Sequence, residues 1–128
     1  MKKILFALSL FFSASLFAQR MYDGSGRPLG RVDGDRFYNA SGSPIGRVDG
    51  DRVYDGSGRP LGRIDNDRVY DGSGRPMGRI DGDRFYSASG QPMGRLDGER
   101  LYDGSGHPIG RADGLRRRQI ILFFYFFM

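Results

Sequence analysis

A repeat of 16 residues runs through the sequence and restricts the fold more than any other feature. One tyrosine and one proline recur at this spacing through six copies of a single unit, of which a complete copy runs from Tyr54 to Val69. A short fixed period indicates stacked or circularly arranged units, none of which buries its apolar face alone. The recurring residues are Tyr22, Tyr38, Tyr54, Tyr70, Tyr86 and Tyr102, and Pro28, Pro44, Pro60, Pro76, Pro92 and Pro108.

Each unit contains two turn signals with different chemistry. The first is a four-residue segment such as Asp55–Gly58, whose second position is Ala in two copies and whose fourth position is always Gly. This pattern predicts a type I turn closed by a left-handed glycine, with the opening side chain accepting bonds from backbone N–H groups two residues on. The second signal is a pair such as Asp33-Gly34, replaced once by Asp65-Asn66, and it predicts a two-residue type I′ hairpin.

Short segments rich in β-branched and aromatic residues separate the turns, and no segment has a helical period. The sequence therefore predicts an all-β fold of six 16-residue β-hairpin repeats. Only four positions per unit are apolar, so one unit buries too little area to offset the ordering of its backbone. Two arrangements remain open, an extended ribbon or solenoid and a closed radial, flower-like ring. We favour the ring because a ribbon would leave its edge strands unpaired.

The N-terminus has the pattern of a secretory signal peptide. Two lysines precede the apolar run Ile4–Phe12, and Ala18 provides a small residue for cleavage. The alternative is an uncleaved membrane anchor, for which this run is short. We therefore expect an exported protein located in the periplasm, the outer envelope or outside the cell. The predicted segments are a signal peptide at 1–18, a β-hairpin repeat domain at 19–115 and a tail at 116–128.

The C-terminal tail is basic and then apolar. Three arginines, Arg116–Arg118, precede nine consecutive apolar residues, Ile120–Met128, too few for a membrane-spanning helix. The tail has three interpretations: a closing strand that fills the ring axis or covers an edge, a contact with the membrane or an envelope protein, and a self-association segment. We favour the closing strand because an exposed run of this composition would promote aggregation.

The repeat resembles a known family. The unit that carries the resemblance is YDGSGRPLGRVDGDR, at Tyr22 to Arg36, and its copies cover nearly all of the mature chain. It resembles the small exported bacterial proteins called five-fold β-flower proteins. The resemblance implies a radial arrangement of hairpin petals and brings neither an activity nor functional residues. Five complete hairpins join one tyrosine unit to the next, and the sixth turn, Asp113-Gly114, leads into the tail.

Composition argues against most catalytic and metal chemistry. The absence of Cys excludes disulfides and thiolate metal sites. The single histidine, His107, stands where other copies have Arg, Ser or Gln, and the recurring turn serines have no histidine beside them to act as a base. Asp33 and Asp35 are spaced as in cation loops, but the distant Glu of a calcium loop is missing and an Arg follows. We therefore predict no catalytic residue, no cofactor and no metal.

A binding or structural role at the cell envelope is the remaining expectation. Between Arg20 and Leu115 there are 15 Arg and 15 acidic residues, so the repeats have no net charge and nucleic acid is not an expected partner. The sequence does not identify the partner: an envelope protein and a glycan are the candidates, and membrane contact through the tail is a further option. The six tyrosines named above form a candidate ligand platform, which would make the protein a lectin-like module using Tyr and Arg columns. Alternatively, the tyrosines pack the ring and contact their own arginines through cation–π interactions.

Overall fold

A computed structural model describes residues 19–128 and contains twelve antiparallel strands closed into a barrel. Consecutive strands pair with each other, and the first strand pairs with the last, so the predicted all-β ring is confirmed and the open ribbon is excluded. The predicted signal peptide lies outside the described residues. The strands are β1 (Gln19–Asp23), β2 (Pro28–Asp33), β3 (Arg36–Asn39), β4 (Pro44–Asp49), β5 (Arg52–Asp55), β6 (Pro60–Asp65), β7 (Arg68–Asp71), β8 (Pro76–Asp81), β9 (Arg84–Ser87), β10 (Pro92–Asp97), β11 (Arg100–Asp103) and β12 (Pro108–Asp113).

The ring has six sectors, one more than the five continuous hairpins suggest. The sixth sector is formed by β12 and β1, the two ends of the repeat domain, without a turn to connect them. Met21 of β1 lies opposite Ala112 of β12, as Phe37 lies opposite Val32 within the first continuous hairpin. Non-covalent pairing of the chain ends therefore completes the barrel in the same register as the other sectors.

The first turn has the predicted geometry. The N–H of Gly58 donates to the carbonyl oxygen of Asp55 at 3.0 Å, and Gly58 has a left-handed φ of 90°. The Asp55 carboxylate accepts bonds from the N–H groups of Ser57 and Arg59 at 2.8 and 2.9 Å. The bond from Arg59 in particular lowers the pKa of Asp55 below its ordinary value, because it stabilises the ionised carboxylate.

The predicted type I′ assignment of the second turn is wrong. Strand β2 extends through Asp33, which pairs with Arg36, so the two loop residues are Gly34 and Asp35. Gly34 has a φ of 62°, whereas Asp35 is not among the residues with positive φ. A positive φ at the first loop residue alone is the pattern of a type II′ turn, which favours glycine there. Asn66, with a φ of 56°, occupies the equivalent left-handed position, as expected for the substitute of glycine.

This left-handed position provides a test of the turn assignment. Gly98 has a φ of 63°, and a Cβ added to it would meet no atom within 4 Å, so backbone strain alone decides the cost of a side chain. We expect Gly98→Val to destabilise the protein by about 1–2 kcal/mol and Gly98→Asn to have a much smaller effect. Urea unfolding of the two variants measures the difference. Equal midpoints for Val and Asn would contradict the assignment.

The barrel interior is apolar and includes one glycine per sector. Side chains alternate between the interior and the outer wall, so β3 buries Phe37 and presents Tyr38 outward. The buried apolar strand residues are Met21, Val32, Phe37, Val53, Ile64, Val69, Ile80, Phe85, Leu96, Leu101 and Ala112. The inward glycines are Gly30, Gly46, Gly62, Gly78, Gly94 and Gly110.

The tail fills the barrel, but as a helix and not as the predicted closing strand. An α-helix, α1 (Arg117–Leu122), continues into a π-helix (Phe123–Phe127), and Ile120 to Phe123 are 1–4% exposed. A closed barrel has no free edge for another strand. In an apolar lumen the backbone N–H and C=O groups must find partners within the segment itself, which a helix provides and a lone strand does not. Among residues 19–128, no helix has the length and hydropathy needed to cross a membrane.

The π-helix directs successive side chains at different sectors. Its i→i+5 bonding makes each turn wider than an α-helical turn, so successive side chains point to different sectors around the lumen. A Cβ added to five of the six inward glycines would touch a tail residue. From Phe124 to Phe127 the order along the tail runs backwards through four consecutive sectors, and Met128, which follows the π-helix, contacts a further sector outside this order. These pairs are Phe124 with Gly94, Tyr125 with Gly78, Phe126 with Gly62, Phe127 with Gly46, and Met128 with Gly110.

Tyr125, whose hydroxyl group lies among the apolar side chains of the tail, leads to a prediction on how stability depends on pH. The Tyr125 oxygen lies 3.0 Å from the carbonyl oxygen of Tyr86 and 3.2 Å from that of Arg79, and burial raises the pKa of Tyr125 to about 12. Folding therefore favours the neutral phenol, and this contribution is complete below pH 10 and is lost as the pH rises from 10 towards 12. Thermal unfolding at pH 9 and pH 11 should show a larger loss for wild type than for Tyr125→Phe. A parallel loss in both proteins would contradict the prediction.

Candidate functional site

The outer wall of the barrel carries a belt of arginines, one from each strand. Each arginine side chain points away from the barrel interior and is exposed or half-buried. Because the strands are regularly paired, the twelve side chains form one continuous band around the ring. The belt consists of Arg20, Arg31, Arg36, Arg47, Arg52, Arg63, Arg68, Arg79, Arg84, Arg95, Arg100 and Arg111.

Six arginines of the belt stack on the six repeat tyrosines. Arg63 lies 4.0 Å above the ring centre of Tyr70, its cross-strand partner, and the other five stacks measure 4.1 to 4.3 Å. The tyrosines are half-buried on the outer wall, so each ring has one face covered by a guanidinium group. The candidate platform is thus a ring of Arg–Tyr stacks and not a ring of free aromatic faces, which agrees with the packing alternative.

The other six arginines lie directly opposite the stacked ones on the neighbouring strand. Arg84, for example, is the cross-strand partner of Arg95, and Arg95 stacks on Tyr102 at 4.2 Å. Like charges placed directly opposite each other destabilise a sheet. The arrangement nevertheless recurs in every sector, as Arg20–Arg31, Arg36–Arg47, Arg52–Arg63, Arg68–Arg79, Arg84–Arg95 and Arg100–Arg111.

A groove beside the arginine pair is present in two equivalent sectors. One has a volume of about 320 Å³ and extends from Arg84 and Arg95, past Tyr86 and Pro92, to the first turn of the next unit at 103–106. The other has a volume of about 270 Å³ and is lined by eight of the ten residues 32 positions earlier, including the pair Arg52 and Arg63. The groove lies where the strand register shifts between Pro92 and Gly94, so a β-bulge opens the wall beside each arginine pair.

Asp103 contributes a carboxylate to the first groove. It accepts bonds from the N–H groups of Ser105 and His107, both at 2.9 Å, and the bond from His107 in particular holds its pKa below the ordinary value. The groove therefore offers guanidinium donors on one side and an ionised acceptor on the other. The His107 ring lies 3.6 Å from Asp103 and its side chain is 77% exposed, in keeping with the exposed position expected from the sequence.

Carboxylates are concentrated at the end of the barrel that carries the second turns. This acidic rim consists of Asp33, Asp35, Asp49, Asp51, Asp65, Asp67, Asp81, Asp83, Asp97, Glu99 and Asp113. Some rim residues reach the belt, since Asp65 lies 3.6 Å from Arg63 and Asp97 lies 4.0 Å from Arg95. Two tail arginines reach the same rim, because Arg117 and Arg118 bond the carbonyl oxygens of Gly82 and Gly50.

The sequence predicted the tyrosines of this surface but missed the arginine pairs. Arginines 11 residues apart, such as Arg36 and Arg47, recur in each unit, but their opposition depends on the strand register, which includes a bulge. Knowledge of both turn geometries would have been required to place them. Among residues 19–128, no three His, Cys, Asp or Glu side chains are grouped so that they could hold a metal ion.

The comparisons with known proteins identify the repeat domain. The family described as "5-fold beta-flower protein" matches residues 18–128. No curated protein and no solved structure matches this sequence.

Proposed function

Since this chain belongs to the family of 5-fold beta-flower proteins, we propose that it is an exported, non-catalytic binding protein of the cell envelope or exterior. In this proposal the barrel is a rigid scaffold, and its outer wall is the binding surface. The observation that carries the proposal is the repetition of one surface unit, an arginine pair beside an Arg–Tyr stack, in six sectors.

Repetition supports binding over catalysis on physical grounds. Acid–base catalysis requires groups whose environments differ, so that one is ionised while the other is protonated. The sectors instead repeat the same groups in the same setting, which suits contact with a repetitive or extended partner. Several weak contacts on one rigid ring add to a strong overall affinity when their spacing fits the ligand.

Export is supported by the sequence pattern of residues 1–18. In this proposal the tail does not contact the membrane, because its residues Ile120 to Phe123 are buried inside the barrel. In this proposal the wall of the barrel makes the contact with the envelope.

Two measurements test this proposal. Cells producing the full chain are fractionated, and the protein in the envelope and exterior fractions is sequenced from its N-terminus, which should be at or near Gln19. Purified mature protein is then sedimented with isolated cell envelopes. A form that retains Met1 in the cytosol, or a mature protein that envelopes do not retain, would overturn the proposal.

A further inference from the structure

We propose that the grooves of the outer wall bind the carboxylate-bearing sugars of an acidic polysaccharide, an inference that rests on the proposed binding function and names its ligand class. The first observation behind it is the unfavourable arginine pair. Arg84 and Arg95 face each other across paired strands, and aspartates of the acidic rim flank them on one side only. On the opposite side the pair borders the groove, where Asp103 supplies one carboxylate and a bound anionic group would relieve the repulsion further.

Stacking on a tyrosine positions one arginine of each pair so that its planar guanidinium group can bind a carboxylate. The guanidinium carbon of Arg95 lies over the Tyr102 ring at 4.2 Å from its centre, and the Arg95 side chain is 44% exposed. The ring therefore restricts the position of the guanidinium group while part of that group remains accessible. A guanidinium group held in this way loses little further freedom when it forms two parallel bonds to a carboxylate. Arg84 supplies a second cation at the same groove, which strengthens the preference for an anion.

The remaining groove residues favour a sugar acid over a phosphate polymer. Asp103 is ionised and accepts hydrogen bonds, which suits a sugar hydroxyl. Its charge repels a densely charged phosphate polymer more strongly than a polysaccharide with one carboxylate per sugar. Ser105 lies in the turn that forms the far wall of the groove, and Pro92 and Tyr86 add apolar surface suited to the C–H face of a sugar ring. The acidic rim beside the belt would also repel a densely charged phosphate backbone.

The size and repetition of the grooves match a polymeric ligand. A volume of 270 to 320 Å³ is at the lower end of the range for small-ligand pockets, so each groove accommodates a short segment of the chain. Equivalent grooves on one rigid ring allow a single polysaccharide to occupy several sectors. Affinity is therefore expected to increase with polymer length, because the later contacts are intramolecular.

The experiment compares two variants of the mature protein that lose the same charge. The groove variant combines Arg52→Gln, Arg68→Gln and Arg84→Gln, which leave the Arg–Tyr stacks intact. The control variant combines Arg27→Gln, Arg59→Gln and Arg75→Gln, in the first turns and outside the arginine pairs. Binding to polygalacturonate, neutral dextran and polyphosphate is measured by calorimetry at two salt concentrations, after circular dichroism has shown that both variants are folded.

Wild type should bind polygalacturonate in preference to dextran and polyphosphate. The groove variant should lose at least about tenfold in affinity for polygalacturonate, and the control variant less than about twofold. Equal losses in both variants, or equal binding of polyphosphate, would show unspecific charge attraction and overturn the inference. Tighter binding of dextran would overturn it in favour of a neutral-sugar lectin. A protein that is exported and retained by envelopes but binds no polygalacturonate would overturn this inference and leave the proposed function intact.

Discussion

Removal of Ile120–Met128 is expected to abolish cooperative folding of the barrel at 37 °C. Four residues at the start of this segment, from Ile120 to Phe123, are almost completely buried in the lumen. Burial of such side chains contributes about 1.5–3 kcal/mol each, or about 6–12 kcal/mol together. A domain of this size has a total stability of about 5–15 kcal/mol, so the loss is comparable to the whole. Thermal unfolding and size-exclusion chromatography of the protein truncated after Gln119 measure this effect.

Two single substitutions distinguish the effect of losing the lumen contact from a general effect of changing the tail. Leu122 is 2% exposed and Met128 is 48% exposed. We expect Leu122→Asp to unfold the barrel, because it places a charge in an apolar interior, and Met128→Asp to change stability by less than about 1 kcal/mol. A monomeric truncated protein with the melting temperature of wild type would show that the tail is not part of the core.

The second large effect is expected for the inward glycines. A Cβ at Gly62 would lie 2.7 Å from the Phe126 ring and closer still to the Tyr70 carbonyl oxygen. A Cβ at the equivalent Gly110 would lie 2.9 Å from the Tyr22 carbonyl oxygen and 3.5 Å from Met128. We expect Gly62→Ala to cost about 3 kcal/mol or more and Gly110→Ala clearly less, because the backbone clash at Gly62 is more severe and only Gly62 also faces an aromatic ring at clashing distance. Urea unfolding midpoints give the comparison.

A double-mutant cycle tests whether the tail is the cause. Phe126→Leu removes the ring that a Cβ at Gly62 would strike, so the cost of Gly62→Ala should fall by about 1 kcal/mol or more in that background. The contact with the Tyr70 carbonyl oxygen remains, so the rescue is partial. An unchanged cost of Gly62→Ala in the Phe126→Leu background would show that Phe126 does not pack against this sector.

Local chemistry made much of the fold predictable. The recurrence of Gly58 and its equivalents indicated a left-handed fourth turn residue, and the exchange of Gly for Asn66 indicated a second left-handed position. Both are confirmed by positive φ values. The type II′ geometry of the second turn was missed, because the sequence does not show that the strand continues through Asp33 and moves the loop by one residue.

The candidate site was likewise predictable only in part. The sequence identified the six tyrosines and their neighbouring arginines, because these recur at a fixed spacing. It did not identify the pairing of Arg84 with Arg95, nor the separation of a formally neutral repeat region into a cationic belt and an acidic rim. Charge balance along a chain does not determine charge distribution in space, which follows from strand register and from the alternation of side chains between two faces.

The sequence by itself determined the repeating unit, its turns and the need for neighbouring units to share a core, since these follow from local backbone preferences and from the small apolar area of each unit. The tertiary structure decided how many sectors close the ring and what fills it. Closure requires β1 and β12, which are distant in sequence, to pair in register. Once the barrel is closed, no strand edge remains, so the apolar tail satisfies its backbone hydrogen bonds as a helix within the lumen.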